Sequence, residues 1–240
     1  MDFLFVLAVG LVAGTISGIV GTGSSIMLMP VLIYEYGPRQ AVPIMAIAAV
    51  MANFSRILAW WRGVDWRACA AYSAPAIPAA ALGARTLLVL PSRTVDICIG
   101  LFLIAMVPAR HWLARHQLKL SLWHLAIGGA VIGYLTGIVV STGPLSVPLF
   151  LFYGLTKGAF LATEAASSLG IYVSKSVTFQ RFGALPVEVA VQGLIAGASL
   201  MAGAFVAKRF VLRLEPEVFR CLMDVIMIVA GLSTLWTAFS

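Results

Sequence analysis

The sequence predicts an all-α, polytopic membrane protein built from two homologous halves, and three observations support that class. The 240 residues are 61% hydrophobic and only 10% charged, whereas soluble domains carry about 25% charged residues. Apolar stretches of 18 to 23 residues recur along the chain, each long enough to cross a hydrocarbon core of roughly 30 Å. Several short motifs of the first half return, in the same order, in the second.

Eight apolar segments are predicted to be helical, because a helix satisfies its own backbone polar groups inside lipid. In chain order they are Phe3–Val20, Ala41–Trp61, Ala68–Leu90, Val95–Trp112, Leu122–Val140, Ala159–Phe179, Val187–Val206 and Val218–Phe239. Such a run of segments leaves no room for a soluble domain.

The second half repeats the first at an offset of 119 residues. The matching residues are Gly10, Gly14 and Gly18 with Gly129, Gly133 and Gly137, and Ser55-Arg56 with Ser174-Lys175. We therefore divide the chain into repeats 1–118 and 119–240. Because small residues at every fourth position let membrane helices approach closely, we expect the glycines to serve helix packing.

Each half interrupts its first helix with glycines and hydroxyl residues, "GTGSS" at 21–25 and "STGPLSVP" at 141–148. The 34 residues of 3–36 would form a helix of about 51 Å, too long for one crossing and too short for two. A broken or re-entrant helix is tolerated in a membrane only where protein buries it or where it lines a cavity. Paired interruptions of this kind point to a transporter's binding site.

The distribution of Lys and Arg distinguishes two topologies. Eight crossings with parallel halves would put six of these residues on one side and seven on the other. Re-entrant hairpins would leave three crossings per half, invert the second half and gather nine on one side: Arg62, Arg67, Arg110, Arg115, Lys119, Lys157, Lys208, Arg209 and Arg213. The positive-inside rule favours the inverted arrangement, with the basic loop 110–119 cytoplasmic and both termini outside.

The two interruptions, together with one buried cation from each half, form a candidate anion site. Helix N-termini offer free N–H groups and a positive dipole end, and intramembrane cations are functional candidates. The candidate binding residues are Gly21, Thr22, Gly23, Ser24, Ser25, Asn53, Arg56, Ser141, Thr142, Gly143, Ser146 and Lys175. The alternatives are snorkelling of the two cations toward the interface and simple helix–helix hydrogen bonding by Asn53.

Glu164 stands in "LATEAASSLG" (161–170) without a basic neighbour at helical spacing. A buried carboxylate of this kind can carry protons; the alternative is a structural pair with a residue on another helix. The helices contain no hydrolase or metalloprotease motif, so we expect no enzyme, no metal site and no cofactor. The net charge of +7 is typical of basic loops beside a membrane, and we expect no nucleic-acid partner.

Five stretches resemble a known family. They are "SGIVGTGSSIMLMPVL" (17–32), "RGVDW" (62–66), "AALGARTL" (80–87), "LPSRTVDICIGLFLI" (90–104) and "TGIVVSTGPLSVPLFLFYGL" (136–155). In this order they resemble the TauE/SafE family of bacterial membrane transporters, also called sulfite exporters or toluene sulfonate uptake permeases. The resemblance implies an anion transporter of the bacterial inner membrane, with sulfite, sulfonates or other organic anions as substrates.

We expect a secondary transporter that moves a small anion by alternating access between its two halves. An anion channel with the same site is one alternative, and a non-transporting membrane partner of another complex is the second. The expected partners are the small anion, the lipid bilayer, a coupling proton or cation, and a second copy of the chain, since glycine faces also serve dimers.

Overall fold

The structure is a computed structural model that describes residues 3–20, 23–91, 120–138, 142–155 and 157–207 continuously, with scattered positions at 93–112 and 221–236. The continuous ranges contain eight α-helices and no strand, which confirms the all-α prediction. The predicted segments 95–112 and 218–239 lie mostly outside the described residues.

Four helices come from each predicted repeat. Those of 1–118 are α1 (Phe3–Val20), α2 (Ser24–Tyr36), α3 (Pro38–Trp60) and α4 (Trp66–Val89). Those of 119–240 are α5 (Leu122–Ile138), α6 (Gly143–Tyr153), α7 (Lys157–Arg181) and α8 (Val187–Ala207). The six long helices match predicted apolar segments to within three residues at each end, and the short helices α2 and α6 follow the two interruptions.

The helix boundaries have local causes in the sequence. Asp65 begins α4, because its carboxylate accepts hydrogen bonds from the backbone N–H groups of Arg67 and Ala68 at 3.0 and 3.1 Å, the usual N-cap arrangement. Gly37 and Gly154 end α2 and α6 with φ of 76° and 108°. Glycine adopts this left-handed region without a steric penalty, so both short helices stop there.

Glycines hold α1 tightly against α8. A Cβ atom at Gly14 would lie 2.2 Å from the carbonyl oxygen of Leu200, and one at Gly18 would lie 2.9 Å from the Cα of Ala204. Only glycine permits so close an approach of two helix backbones. Residue numbers rise together along both helices, so α1 and α8 run in the same direction.

The contact between α4 and α5 has the same construction. A Cβ atom on each of three α5 glycines would meet a carbonyl oxygen of α4 at 2.2, 2.4 and 2.5 Å, in the pairs Gly129–Tyr72, Gly133–Ala76 and Gly137–Ala80. These helices are also parallel. The expected packing role of both glycine series is thereby confirmed.

Helix α7 is parallel to α4 as well. The Ser73 hydroxyl donates to the carbonyl oxygen of Ser167 at 3.4 Å, and the Ser174 hydroxyl donates to that of Ile77 at 2.9 Å. The residue numbers again increase together on the two helices. A hydroxyl that bonds a neighbouring helix backbone is a common polar contact in membrane bundles.

Backbone contacts also relate the helix ends. The N–H of Leu120, just before α5, donates to the carbonyl oxygen of Phe152 at 3.1 Å, so the end of α6 returns to the start of α5. At Gly63, which follows α3, a Cβ atom would lie 3.2 Å from the Cα of Ala159 in the first turn of α7. The end of α3 therefore lies beside the start of α7.

The bundle has an apolar core that also buries several polar and charged side chains, while its outer surface exposes many large apolar side chains, which is unusual for a soluble protein. Arg56, Glu164 and Lys175 are buried, whereas Leu4 and Val187 are each 80% exposed. Among the described helices, Gln40–Gly63 and Val187–Ala207 are long and apolar enough to cross a membrane, and Leu122–Ile138 is apolar but shorter. This distribution suits a chain surrounded by lipid.

We expect Gly133→Ala to destabilise the protein, because the new methyl group would meet the Ala76 carbonyl oxygen at 2.4 Å. Overpacking of this kind costs about 1–3 kcal/mol. Gly128→Ala in the same helix is the matched control, since its methyl group would meet only the movable end of the Leu149 side chain. Thermal unfolding in detergent should show a lower midpoint for Gly133→Ala; equal midpoints would contradict the close contact of α4 and α5.

Candidate functional site

A buried cavity lies between the first turns of α2 and α6 and the middle of α3 and α7. Its volume of about 20 Å³ accommodates a water molecule or two, because each needs roughly 10–15 Å³ on this measure. Most of the described residues around it carry hydroxyl, amide or charged groups. A small polar chamber inside an apolar bundle is therefore the candidate functional site.

The described candidate residues of both interruptions contribute to the cavity wall. They are Gly23, Ser24 and Ser25 of the first interruption and Thr142, Gly143 and Ser146 of the second. The other candidate residues of these stretches, Gly21, Thr22 and Ser141, lie outside the described residues. Residues that are 117 to 123 positions apart in the sequence thus meet around one chamber.

The two short helices begin at the cavity without the usual side-chain caps. The residue before α2 is Gly23, with φ of 104° and no side chain to accept from the first turn. Thr142 precedes α6, but its hydroxyl pairs with the Thr136 hydroxyl and makes no cap bond. The positive ends of both helix dipoles therefore lie at the cavity, where an anion is favoured.

Arg56 brings the positive charge of α3 to this chamber. The residue is 6% exposed, and its Nη2 donates to Asn53 Oδ1, while Asn53 Nδ2 donates to the Ala49 carbonyl oxygen at 2.8 Å. Asn53 thus orients the guanidinium. Arg56 Nε is buried and has no hydrogen-bond partner among the described residues, which leaves a donor for a further ligand.

Glu164 of α7 lies opposite Arg56. Its Oε2 is 3.0 Å from Arg56 Nη1, and its Oε1 accepts from the hydroxyls of Ser168 at 2.8 Å and Ser146 at 3.3 Å. Nη1 and Oε2 are within ion-pair distance, but their angles do not form a hydrogen bond. At 3.0 Å the two charges attract each other across α3 and α7, which is the interhelical pair that the structural alternative for Glu164 describes.

Lys175 lies behind the cavity wall and does not line it. The side chain is 1% exposed, and Nζ donates to the carbonyl oxygen of Thr136 at 2.8 Å while lying 5.6 Å from the Phe179 ring centroid. Thr136 is in the last turn of α5, where a cation complements the helix carbonyls. The structure therefore brings Arg56 and not Lys175 to the chamber.

Five polar residues of the wall are absent from the sequence-based site: Ser17, Tyr72, Thr136, Ser168 and Tyr172. Ser17 and Thr136 occupy the same position of the repeat, as "SGIV" and "TGIV". The repeat could therefore have predicted that both residues belong to the site. Ser168 follows Glu164 by one helical turn, a spacing that brings side chains together. No repeat or spacing marks Tyr72 in the sequence, where it stands in an alanine-rich helix.

Tyr72 adds a second unsatisfied polar group to the chamber. Its side chain is fully buried, its ring centroid lies 5.0 Å from that of Phe150, and its hydroxyl has no partner among the described residues. An unpaired buried hydroxyl is costly, so it is more stable when a ligand in the cavity accepts its hydrogen bond. The wall thus contains many donors for an anion and one carboxylate.

Comparison with known proteins gives two matches. The model of the family described as sulfite exporter TauE/SafE matches residues 6–234. A chain of Sinorhizobium fredii described as "Probable membrane transporter protein y4hK" is 29% identical over 190 residues, which is 72% of each chain. No solved structure matches.

We expect Glu164→Leu to destabilise the protein by about 3–5 kcal/mol, because it leaves the Arg56 guanidinium buried without its counter-charge. The double variant Arg56→Met, Glu164→Leu removes both charges and should recover much of that loss. Thermal unfolding in detergent compares the two. A double variant less stable than Glu164→Leu would mean that the two charges do not stabilise each other.

Proposed function

Because the chain belongs to the sulfite exporter TauE/SafE family of membrane transporters, we propose that it carries a small anion across the bacterial inner membrane through the cavity beside Arg56. Sulfite, sulfonates and other small organic anions are the substrate candidates. The proposed anion-binding residues are the candidate residues of both interruptions together with Asn53 and Arg56. Lys175 supports the wall of the site from behind.

One observation carries the proposal: two uncapped helix N-termini and one guanidinium meet at a single buried chamber. Each feature attracts negative charge, and low dielectric strengthens the attraction. The hydroxyls of Ser24, Ser25 and Tyr72 supply donors without adding charge. Glu164 is the single carboxylate among the described wall residues, and Arg56 offsets its charge, so the charges of the wall do not favour a cation.

We further propose that residues 1–118 and 119–240 are inverted repeats. Support comes from the parallel pairs α1 with α8, α4 with α5 and α4 with α7. Short connections reverse the chain between α3 and α4 and between α7 and α8. It follows that α1, α3 and α4 each run opposite to α5, α7 and α8, their counterparts in the repeat.

The same directions support re-entrant hairpins at the two interruptions. Since α6 returns to the start of α5 through the Leu120–Phe152 bond, the pair α5–α6 enters and leaves on one side. The nine Lys and Arg residues of the inverted topology then share a side, which the positive-inside rule assigns to the cytoplasm together with loop 110–119.

Alternating access is the proposed mechanism, because the chamber is too small in this conformation for a polyatomic anion and its water. A cavity of about 20 Å³ must widen before a substrate enters. Rocking of one repeat against the other would open it to each side in turn. The glycine contacts α1–α8 and α4–α5 each join helices from different repeats, so they are the surfaces that would move.

We expect purified protein in liposomes to give saturable sulfite or sulfonate flux with counterflow, and Arg56→Gln to lower that flux at least tenfold. Removing a buried, hydrogen-bonded charge from a binding site costs about 2–5 kcal/mol, and 1.4 kcal/mol is tenfold. Arg62→Gln is the control, since Arg62 is exposed and lies over the Trp61 ring at 5.5 Å. It should retain full flux.

The alternatives give different results in the same assay. Flux that never saturates and shows no counterflow would favour an anion channel. Absence of flux over a panel of sulfite, sulfonates and carboxylates would favour the non-transporting partner. A folded Arg56→Gln variant with normal flux would keep transport and place the substrate elsewhere.

A further inference from the structure

We propose that Glu164 and the transported anion compete for Arg56, so that one anion and one proton cross the membrane together. This inference rests on the proposed anion transport and adds its driving force. It concerns the ion pair between α3 and α7 at 3.0 Å and the hydroxyls that hold Glu164.

The surroundings of Glu164 contain few charges. Among the described wall residues, the charged and titratable groups besides Glu164 are Arg56 of α3, Tyr72 of α4 and Tyr172 of α7. Helices α1, α2, α5 and α6 contribute only serine, threonine and glycine there. Lys175, behind the wall, donates to the Thr136 carbonyl oxygen. The carbonyl groups at the end of α5 compensate the Lys175 charge, so the charges that can change partners in the chamber are those of Arg56 and Glu164.

An anion and an ionised Glu164 cannot share Arg56 at low cost. Two like charges about 4 Å apart repel each other much more strongly in a partly buried site than in water. The carboxylate has little freedom to withdraw, because the Ser168 hydroxyl on α7 donates to its Oε1 at 2.8 Å and the Ser146 hydroxyl on α6, which also reaches the Gly143 carbonyl oxygen, lies 3.3 Å from the same atom. Protonation of Glu164 removes the repulsion and releases Arg56 for the anion.

The hydroxyls around Glu164 suit both protonation states. Ser146 and Ser168 donate to the ionised carboxylate, and a hydroxyl oxygen can also accept from a protonated carboxyl. Oε2, which faces Arg56 without forming a hydrogen bond, is the oxygen open to a proton from the water that enters with the substrate. The proton leaves to water on the opposite side.

Charge balance makes the coupling one to one. The chamber is neutral when Arg56 pairs with ionised Glu164, and neutral again when Arg56 pairs with a monovalent anion beside protonated Glu164. An anion without a proton, or a proton without an anion, leaves one uncompensated charge in the membrane interior, which is costly. Only the two neutral states therefore move at an appreciable rate, and transport is electroneutral symport.

The test uses wild-type protein in liposomes that contain a pH-sensitive dye, with the membrane potential clamped at zero. The substrate is methanesulfonate, or another alkyl sulfonate that the flux assay identifies, because a sulfonate stays ionised and cannot itself carry the proton. We expect anion entry to acidify the lumen with one proton per anion. An acidic exterior should drive about tenfold accumulation of the anion per pH unit, as one proton per anion requires.

The variant Glu164→Gln should separate anion exchange from the coupling of anion transport to protons. The amide resembles the protonated carboxyl and cannot release a proton, so counterflow should persist while accumulation driven by a pH gradient disappears. Glu188→Gln is the control, because Glu188 is an exposed carboxylate in the first turn of α8, and it should accumulate the anion like wild type. If Glu164→Gln does not fold, the wild-type dye measurement decides alone.

Several results would overturn the inference. Wild-type sulfonate flux without acidification, or accumulation that follows a sodium gradient or the membrane potential, would exclude proton symport and leave anion transport intact. Proton-driven accumulation in a folded Glu164→Gln variant would move the proton site away from Glu164. Absence of flux for every anion in wild type would overturn the proposed function together with the coupling.

Discussion

The need to enclose two helix N-termini inside an apolar bundle is the constraint on which the structure depends. A helix end at membrane depth exposes N–H groups that hydrocarbon cannot satisfy, so protein must surround it. Here the first turns of α2 and α6 face one buried chamber, and the glycine contacts of α1 with α8 and α4 with α5 close the bundle around it. The glycines that pack the helices together therefore also allow the bundle to bury polar and charged side chains.

The electrostatic properties of the enclosed chamber are set mainly by one cation and one carboxylate. The helix N-termini and hydroxyls favour negative charge, while Arg56 and Glu164 neutralise each other at 3.0 Å. In the proposed mechanism, a substrate anion that binds the guanidinium competes with Glu164 for its charge. The proposed coupling follows from this competition, because it makes binding of the anion depend on the charge state of Glu164.

The sequence predicts the parts of this site that have a repeated or chemically unusual signature. The interruptions, Arg56 and Glu164 stand out against an apolar background, and their described candidate residues meet at the chamber. Spacing alone does not give the direction of a long side chain. The repeat therefore does not predict that Lys175, the counterpart of Arg56, points to the end of α5. The repeat does not predict Glu164, because the matching residue in the first half is Met45. It does not predict Tyr72 either, because that residue joins the site only through tertiary contacts.

The most direct test of the central claim is the position of a bound anion. Crystals grown with selenite, the selenium analogue of sulfite, would locate it by anomalous scattering at a concentration that competes in the flux assay. We expect one selenium peak within hydrogen-bonding distance of Arg56, between the first turns of α2 and α6. A peak confined to another part of the bundle, with this chamber unchanged, would contradict the assignment of the site.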